Sequence, residues 1–198
     1  MQLKLSITNP DGFYQKPDFA VASDIHAWGI SALGVAQLST IEPGAAESMI
    51  RFVEKHCRTT VSYNSPDGRT VTVTGFDFLD HEALAHLKRP GLVSPEWTFQ
   101  MANAYKRLSD DFKAMGEIKK ANLYAEKRKN LLAQMMAMTS TKDNAAGFPY
   151  ATLGDVPVGH EYNTPAQGSF SMIGVAYGIL ALTGYDPLCS PSERGASR

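Results

Sequence analysis

Several things are scarce in this sequence. Only two of its 198 residues are cysteine, Cys57 and Cys189, and no CxxC spacing occurs. That excludes a disulfide framework and a structural zinc cluster, and two free thiols are expected. Neither sign of charge is in excess: 19 Lys and Arg against 20 Asp and Glu leave a formal net charge of -1. Such a balance supplies no electrostatic footprint for nucleic acid and no basic face for anionic lipid. No run of 18 apolar residues exists, so no membrane span is expected. The opening MQLKLSITNPDGFYQKPDF lacks an apolar h-region and a cleavage-like site. The expectation is a cytoplasmic protein if the chain is complete, or an exported one if it is a fragment of a longer precursor. No Walker loop, dinucleotide fingerprint or Gly-x-Ser-x-Gly elbow is present, and neither a cofactor nor a metal is expected.

What is there reads as a globular, helical chain, with 43% hydrophobic and 20% charged residues. Ser23-Asp24 leads into IHAWGISALGVAQL, which predicts a helix over about 24–38, apolar nearly all round and therefore buried. After Pro43-Gly44, residues 45–56 carry one apolar stripe (Ala46, Met49, Ile50, Val53) and a charged face, the pattern of an outer helix. Residues 57–80 alternate β-branched and polar side chains around Pro66-Asp67-Gly68, a hairpin signal. A short helical turn follows, ended by Pro90-Gly91. Ser94 and Pro95 are the cap and first position of a helix to about 108 or a little beyond. Residues 110–138 predict a second outer helix with a break near Gly116, and 139–166 a long loop. A last, uncharged helix is expected over about 168–183, stopped by Gly184 with Pro187 beyond.

Buried and amphipathic helices thus alternate, and the buried ones start near 24, 96 and 168, about 72 residues apart. A repeat of helical hairpins, each with one inner and one outer helix, explains the spacing. Inner helices separated by antiparallel outer ones point the same way, so their N-termini gather at one mouth. Asp24 and His26 reach it from the first inner helix, Glu96 and Trp97 from the second, and the loop ending at Gly168 from the third.

Three segments carry a family resemblance: GLVSPEWTFQMANAY (91–105), GFPYAT (147–152) and SFSMIGVAYGILALTGYDPL (169–188). Together with SDIHAWGISALG (23–34), they resemble the inner helices and connecting loop of six-hairpin glycosidase-like proteins. The resemblance implies an all-α fold, an incomplete (α/α) toroid of helical hairpins with about five major helices and a small β-hairpin insertion. It implies a single domain over 1–198, the C-terminal part of a larger toroid, with 188–198 a flexible tail. Five major helices make two and a half hairpins, and a closed toroid needs six. The missing hairpins of the same parent chain are therefore an expected partner, beside a carbohydrate substrate.

Glycoside hydrolysis uses two carboxyl groups, about 5 Å apart for retention or roughly 6.5–9.5 Å for inversion. Asp24 and Glu96, at neighbouring inner-helix N-termini, are the candidates for acid/base catalysis. The plainer reading is that acids in a first turn complement the helix dipole. His26, Trp97, Tyr150, His160, Glu161 and Tyr162 are candidate substrate-binding residues, aromatic planes matching the C–H faces of sugars. Trp28, one turn inside its helix, reads better as core. His160 and Tyr162 also suit a polysaccharide lyase, which needs a base and a charge-stabilising group; the plainer reading of residues 158–169 is a polar capping loop. The cluster Asp77, Asp80, His81 and Glu82 offers oxygens to a cation without EF-hand spacing. From a different class comes a non-catalytic module that binds glycan or protein. A terpenoid-cyclase-like toroid would need a DDxxD motif, which is absent.

Overall fold

A computed structural model describes residues 21–142, 144–159 and 162–189. The fold is mostly α. In chain order it comprises α1 (Ser23–Ile41), α2 (Ala45–His56), β1 (Arg58–Asn64), β2 (Thr70–Phe76), α3 (His81–Leu87), α4 (Pro95–Ala114), α5 (Ile118–Ala137), β3 (Ser140–Lys142), β4 (Ala145–Gly147) and α6 (Met172–Thr183). Strands β1 and β2 pair antiparallel, Arg58 with Phe76 through Asn64 with Thr70, as the turn signal at Pro66-Asp67-Gly68 predicts.

Helices α1 and α6 flank α4, and all three run in one direction. Asp24 at the start of α1 acts electrostatically on Glu96 at the start of α4. At the other end, the Val35 amide donates to the Asp111 carboxylate at 2.7 Å. A Cβ on Gly174, near the start of α6, would lie 3.8 Å from the Glu96 nitrogen, and one on Gly184 would meet Lys106. Helices α2 and α5 form the outer layer and run against α4. Glu54 accepts from Tyr105 at 2.5 Å and from Lys127 at 2.6 Å, while Lys120 reaches back to Glu47 at 3.1 Å. Phe112 and Tyr124 stack between the layers.

The main core lies between these layers. Ile30, Leu38, Met49, Ile50, Phe99, Met101, Leu108 and Met135 belong to it. A second apolar cluster, with Phe78, Leu79, Leu92 and Trp97, sits under the loops at the start of α4. Gly178 lets α6 approach closely, because a Cβ there would come within 3.0 Å of Phe148 and 3.1 Å of Phe99. An ordinary side chain at that point would force the helices apart.

Several expectations need correction. Helix α1 is kinked at Gly34, whose φ of 68° is non-helical. The amide that the kink frees at Val35 is satisfied by Asp111 rather than by the helix. Ser94 stands at the N-cap of α4, but its hydroxyl makes no capping bond and is a buried orphan. Its carbonyl still accepts from the Thr98 amide at 3.0 Å. Residues 110–114 belong to α4, because Leu108 and Phe112 continue the buried stripe. The loop beyond α5 contains the short β3–β4 pair, Ser140 opposite Gly147. Helix α6 starts at Met172, with Ser171 capping through a 2.8 Å bond from the Gly174 amide. The outer flanks of α1 and α6 are open: Trp28 is 43% exposed, Ile179 58% and Met172 87%. Most of the expected tail, from residue 190 on, lies outside the described residues.

Candidate functional site

The parallel run of α1, α4 and α6 delivers three helix starts to one end of the molecule. Asp24 occupies the first turn of α1 and Glu96 the first turn of α4. Asp24 is buried, and its Oδ1 accepts from the amide of Ile25 at 2.8 Å. Burial raises its pKa from 3.8 to about 6, against the lowering effect of that bond. Glu96 is half-buried. Burial first, and then the Asp24 charge, raise its pKa from 4.5 to about 7. A carboxyl is easier to bury neutral than ionised, and two neighbours oppose double ionisation. Both carboxyls are thus pushed up toward neutral pH, Asp24 by burial and Glu96 by burial and then by the Asp24 charge.

Around this pair the polar groups come from every neighbouring element. Gln100, one turn along α4, donates from Nε2 to Glu96 Oε1 at 3.4 Å. Gln100 Oε1 and, a further turn on, Asn103 Oδ1 are buried without a protein acceptor or donor partner among the described residues. Tyr177 of α6 feels Glu96 and Asp24, and burial is the main cause raising its phenol pKa. Burial is again the main cause raising the pKa of Tyr150, which also feels Tyr162 and Glu96. Tyr162 is itself exposed.

Of the residues expected at the mouth, Asp24 lies within electrostatic reach of Glu96, and Glu96 and Tyr162 lie within reach of Tyr150. His26 and Trp97 do not join them. The His26 ring is fully buried, stacked on Phe52 of α2 at 5.5 Å, with Nδ1 3.2 Å from the Ala22 carbonyl oxygen. Desolvation lowers its pKa. Trp97 is only 8% exposed and meets Phe78 edge-on at 4.9 Å, in the second apolar cluster. Both side chains start from the mouth and turn into packing: Trp97 is one residue beyond Glu96 and His26 two beyond Asp24, rotations of about 100° and about 200°. His160 and Glu161 lie outside the described residues.

Tyr177, Gln100, Asn103 and the exposed position of Trp28 were missed at the level of sequence. A signal existed for three of them. Gln100 and Asn103 stand at i+4 and i+7 from Glu96, and Trp28 at i+4 from Asp24, so each shares a face with its carboxyl. Tyr177 carried none, since only the approach of α6 brings it near.

The acidic cluster near residue 80 is occupied by the fold itself. Asp77 is fully buried and takes two bonds from Arg89, at 2.7 and 2.8 Å, plus the amides of Leu92 and Leu79. Asp80 accepts from Val21, Glu82 and Ala83 amides, capping α3. Among the described residues no group of three or more His, Cys, Asp or Glu is placed to hold a metal ion, and no helix is long and apolar enough to cross a membrane. No family model, curated protein or solved structure matches the chain.

Proposed function

We propose that the chain is a segment of a carbohydrate-active (α/α) toroid, glycoside hydrolase-like, that acts on a poly- or oligosaccharide through Asp24 and Glu96. One observation carries the reading. Two neighbouring carboxyls, raised to about 6 and about 7, stand where the starts of α1 and α4 converge, beside phenols from α6 and the loop before it. Acid/base cleavage of a glycosidic bond needs one carboxyl protonated and its neighbour ionised at working pH. Glu96, with the higher pKa, is the general acid. Asp24 is the ionised partner, a base toward water or a nucleophile. The open flanks of α1 and α6 fit the same reading, as the faces on which further hairpins of a parent chain would pack.

The test is turnover of oligosaccharides by the chain and by Glu96→Gln, which keeps the shape and removes the proton donor. Hydrolysis by the wild-type chain that falls at least about 100-fold in the variant supports the reading. Hydrolysis that survives Glu96→Gln sinks the assignment of the acid. Glycan binding without any turnover by the wild-type chain would favour a non-catalytic module instead. Release of unsaturated sugars would point to a lyase working through the tyrosines.

A further inference from the structure

Two acceptor atoms on α4 have nothing to accept from. Gln100 Oε1 and Asn103 Oδ1 are buried without a partner among the described residues, on side chains whose residues are only 2% and 3% exposed. Buried carboxamide oxygens are ordinarily bonded, and an orphan in a native fold calls for an explanation. Both residues lie on the Glu96 face of the helix, one turn and two turns along. Gln100 already touches that carboxyl, its Nε2 donating to Glu96 Oε1 at 3.4 Å. An i, i+4 pair of this kind is ordinary on a helix surface, where water completes whatever the partner leaves open. Gln100 is shut away from water, so that plain reading leaves its oxygen and that of Asn103 unexplained.

The other protonation state of Glu96 supplies what is missing. A neutral carboxyl carries an O–H donor, whereas a carboxylate only accepts. The two ends of a carboxamide are close in size, and a half turn exchanges oxygen for nitrogen in the same space. Turned in this way, Gln100 Oε1 takes the place of Nε2 and accepts from the Glu96 O–H. The amide nitrogen then stands where Oε1 was and donates toward Asn103, three residues on, a spacing at which helix side chains meet. One rotation and one proton thus satisfy both orphans. The ionised carboxylate keeps the first orientation, with Nε2 donating to it.

We propose that Gln100, backed by Asn103, is the positioning residue of Glu96: its carboxamide donates to the carboxylate and, turned over, accepts the proton of the neutral acid while donating to Asn103 Oδ1. Its role in turnover rests on the reading of Glu96 as the general acid. The glycosidic oxygen of a bound substrate takes over the Glu96 O–H. As that O–H bond breaks and the proton passes to the leaving oxygen, the electron pair stays on Glu96 and Gln100 turns back to donate to the carboxylate. No proton moves onto Gln100. The other titratable groups within reach of Glu96 are Asp24 of α1, Tyr177 of α6 and Tyr150 of the loop before α6.

The test follows the full chain by NMR without substrate, in the wild type and in Asp24→Asn, where Asp24 no longer titrates beside Glu96. Glu96 is read from its carboxyl carbon, and Gln100 from its side-chain amide, identified by its loss in Gln100→Met. Below the Glu96 midpoint the Gln100 amide protons should show cross-relaxation to the Asn103 β protons, and above it to the Glu96 γ protons. Asn103→Leu withdraws an acceptor used only in the neutral state, so it should lower the Glu96 midpoint by about half a pH unit or more. With Gln100→Met already in place, the same substitution should leave the midpoint where it was. A Gln100 amide with the same neighbours at both ends of the titration overturns the proposal. So does an Asn103→Leu shift that is absent, or that is equal with and without Gln100. If a variant fails to fold, the amide contacts of the wild type decide alone. The hydrolase reading fails separately: absence of sugar hydrolysis by the wild-type chain would sink it and leave the turning of Gln100 in place.

Discussion

Asp77 and Asp24 are buried acids and Glu96 a half-buried one in the same small protein, and the two groups are treated in opposite ways. Asp77 is fully buried but saturated. Arg89 grips it with two bonds, and the Leu79 and Leu92 amides complete the shell. Asp24 receives one amide from its own neighbour, and Glu96 a single long bond from Gln100. No cation is bonded to either among the described residues. A compensated charge holds loops together: Arg89 also donates to the Pro157 carbonyl at 2.6 Å, tying the segment before α4 to the loop after β4. An uncompensated carboxyl resists ionisation, which is costly for stability and useful for proton transfer. Sites and struts can thus be told apart by whether the buried charge has been answered.

The comparison is broken most severely at the strut. Arg89→Ala leaves Asp77 buried and unpaired and should cost about 3–5 kcal/mol, read as a drop in the urea midpoint. A loss under about 1 kcal/mol would show that Asp77 is not the strut described. The pair at the mouth makes a gentler claim, which pH tests. Asp24 and Glu96 have folded pKa values raised above 3.8 and 4.5 to about 6 and about 7. Their contribution to stability is complete below about pH 4 and is lost as pH rises through 6 and 7. The loss should be on the order of 3 kcal/mol, reduced by solvent screening at half-buried Glu96. Thermal midpoints that rise between pH 5 and 8 for the wild type relative to a double Asp24→Asn, Glu96→Gln variant would contradict it.

A smaller effect comes from Glu96→Gln alone. At pH 8 it removes a charge that the fold disfavours, so the variant should be more stable than the wild type by about 1 kcal/mol. At pH 4 the two should melt alike; equal stability at both values would mean that burial of Glu96 is unimportant. The smallest stability change is expected at Trp28→Ala, within about 0.5–1 kcal/mol, while Trp97→Ala should cost about 3–5 kcal/mol. Calorimetric melts of the two variants side by side would decide whether one tryptophan is surface and the other core.

Much of this was legible in advance, for physical reasons that differ by element. The hairpin followed from Pro66-Asp67-Gly68 between alternating strands, because turn chemistry is local. The end of α6 followed from Gly184, which takes the left-handed conformation at the C-cap with φ 72°. The two tryptophans came out differently. Trp28 read as core because hydrophobicity alone assigns it there, and Trp97 read as mouth because it adjoins Glu96. Periodicity says which residues share a face, but it does not say which face another helix will cover. The kink at Gly34 was equally out of reach, since the group that satisfies it, Asp111, is 76 residues away.

The sequence by itself determined the type of the principal elements, their approximate limits, the positions of Asp24 and Glu96 at helix starts, and the balanced charge. Those depend on local propensity, capping and hydrophobic period. Tertiary structure decided the rest. It chose which side of α1 and α6 stays open, sent His26 and Trp97 into packing, and brought Tyr177 from α6 to the carboxyl pair. It answered the charge of Asp77 and left those of Asp24 and Glu96 unanswered. The reason is that burial and pairing are properties of neighbours distant in sequence, and only the packed helices make them neighbours.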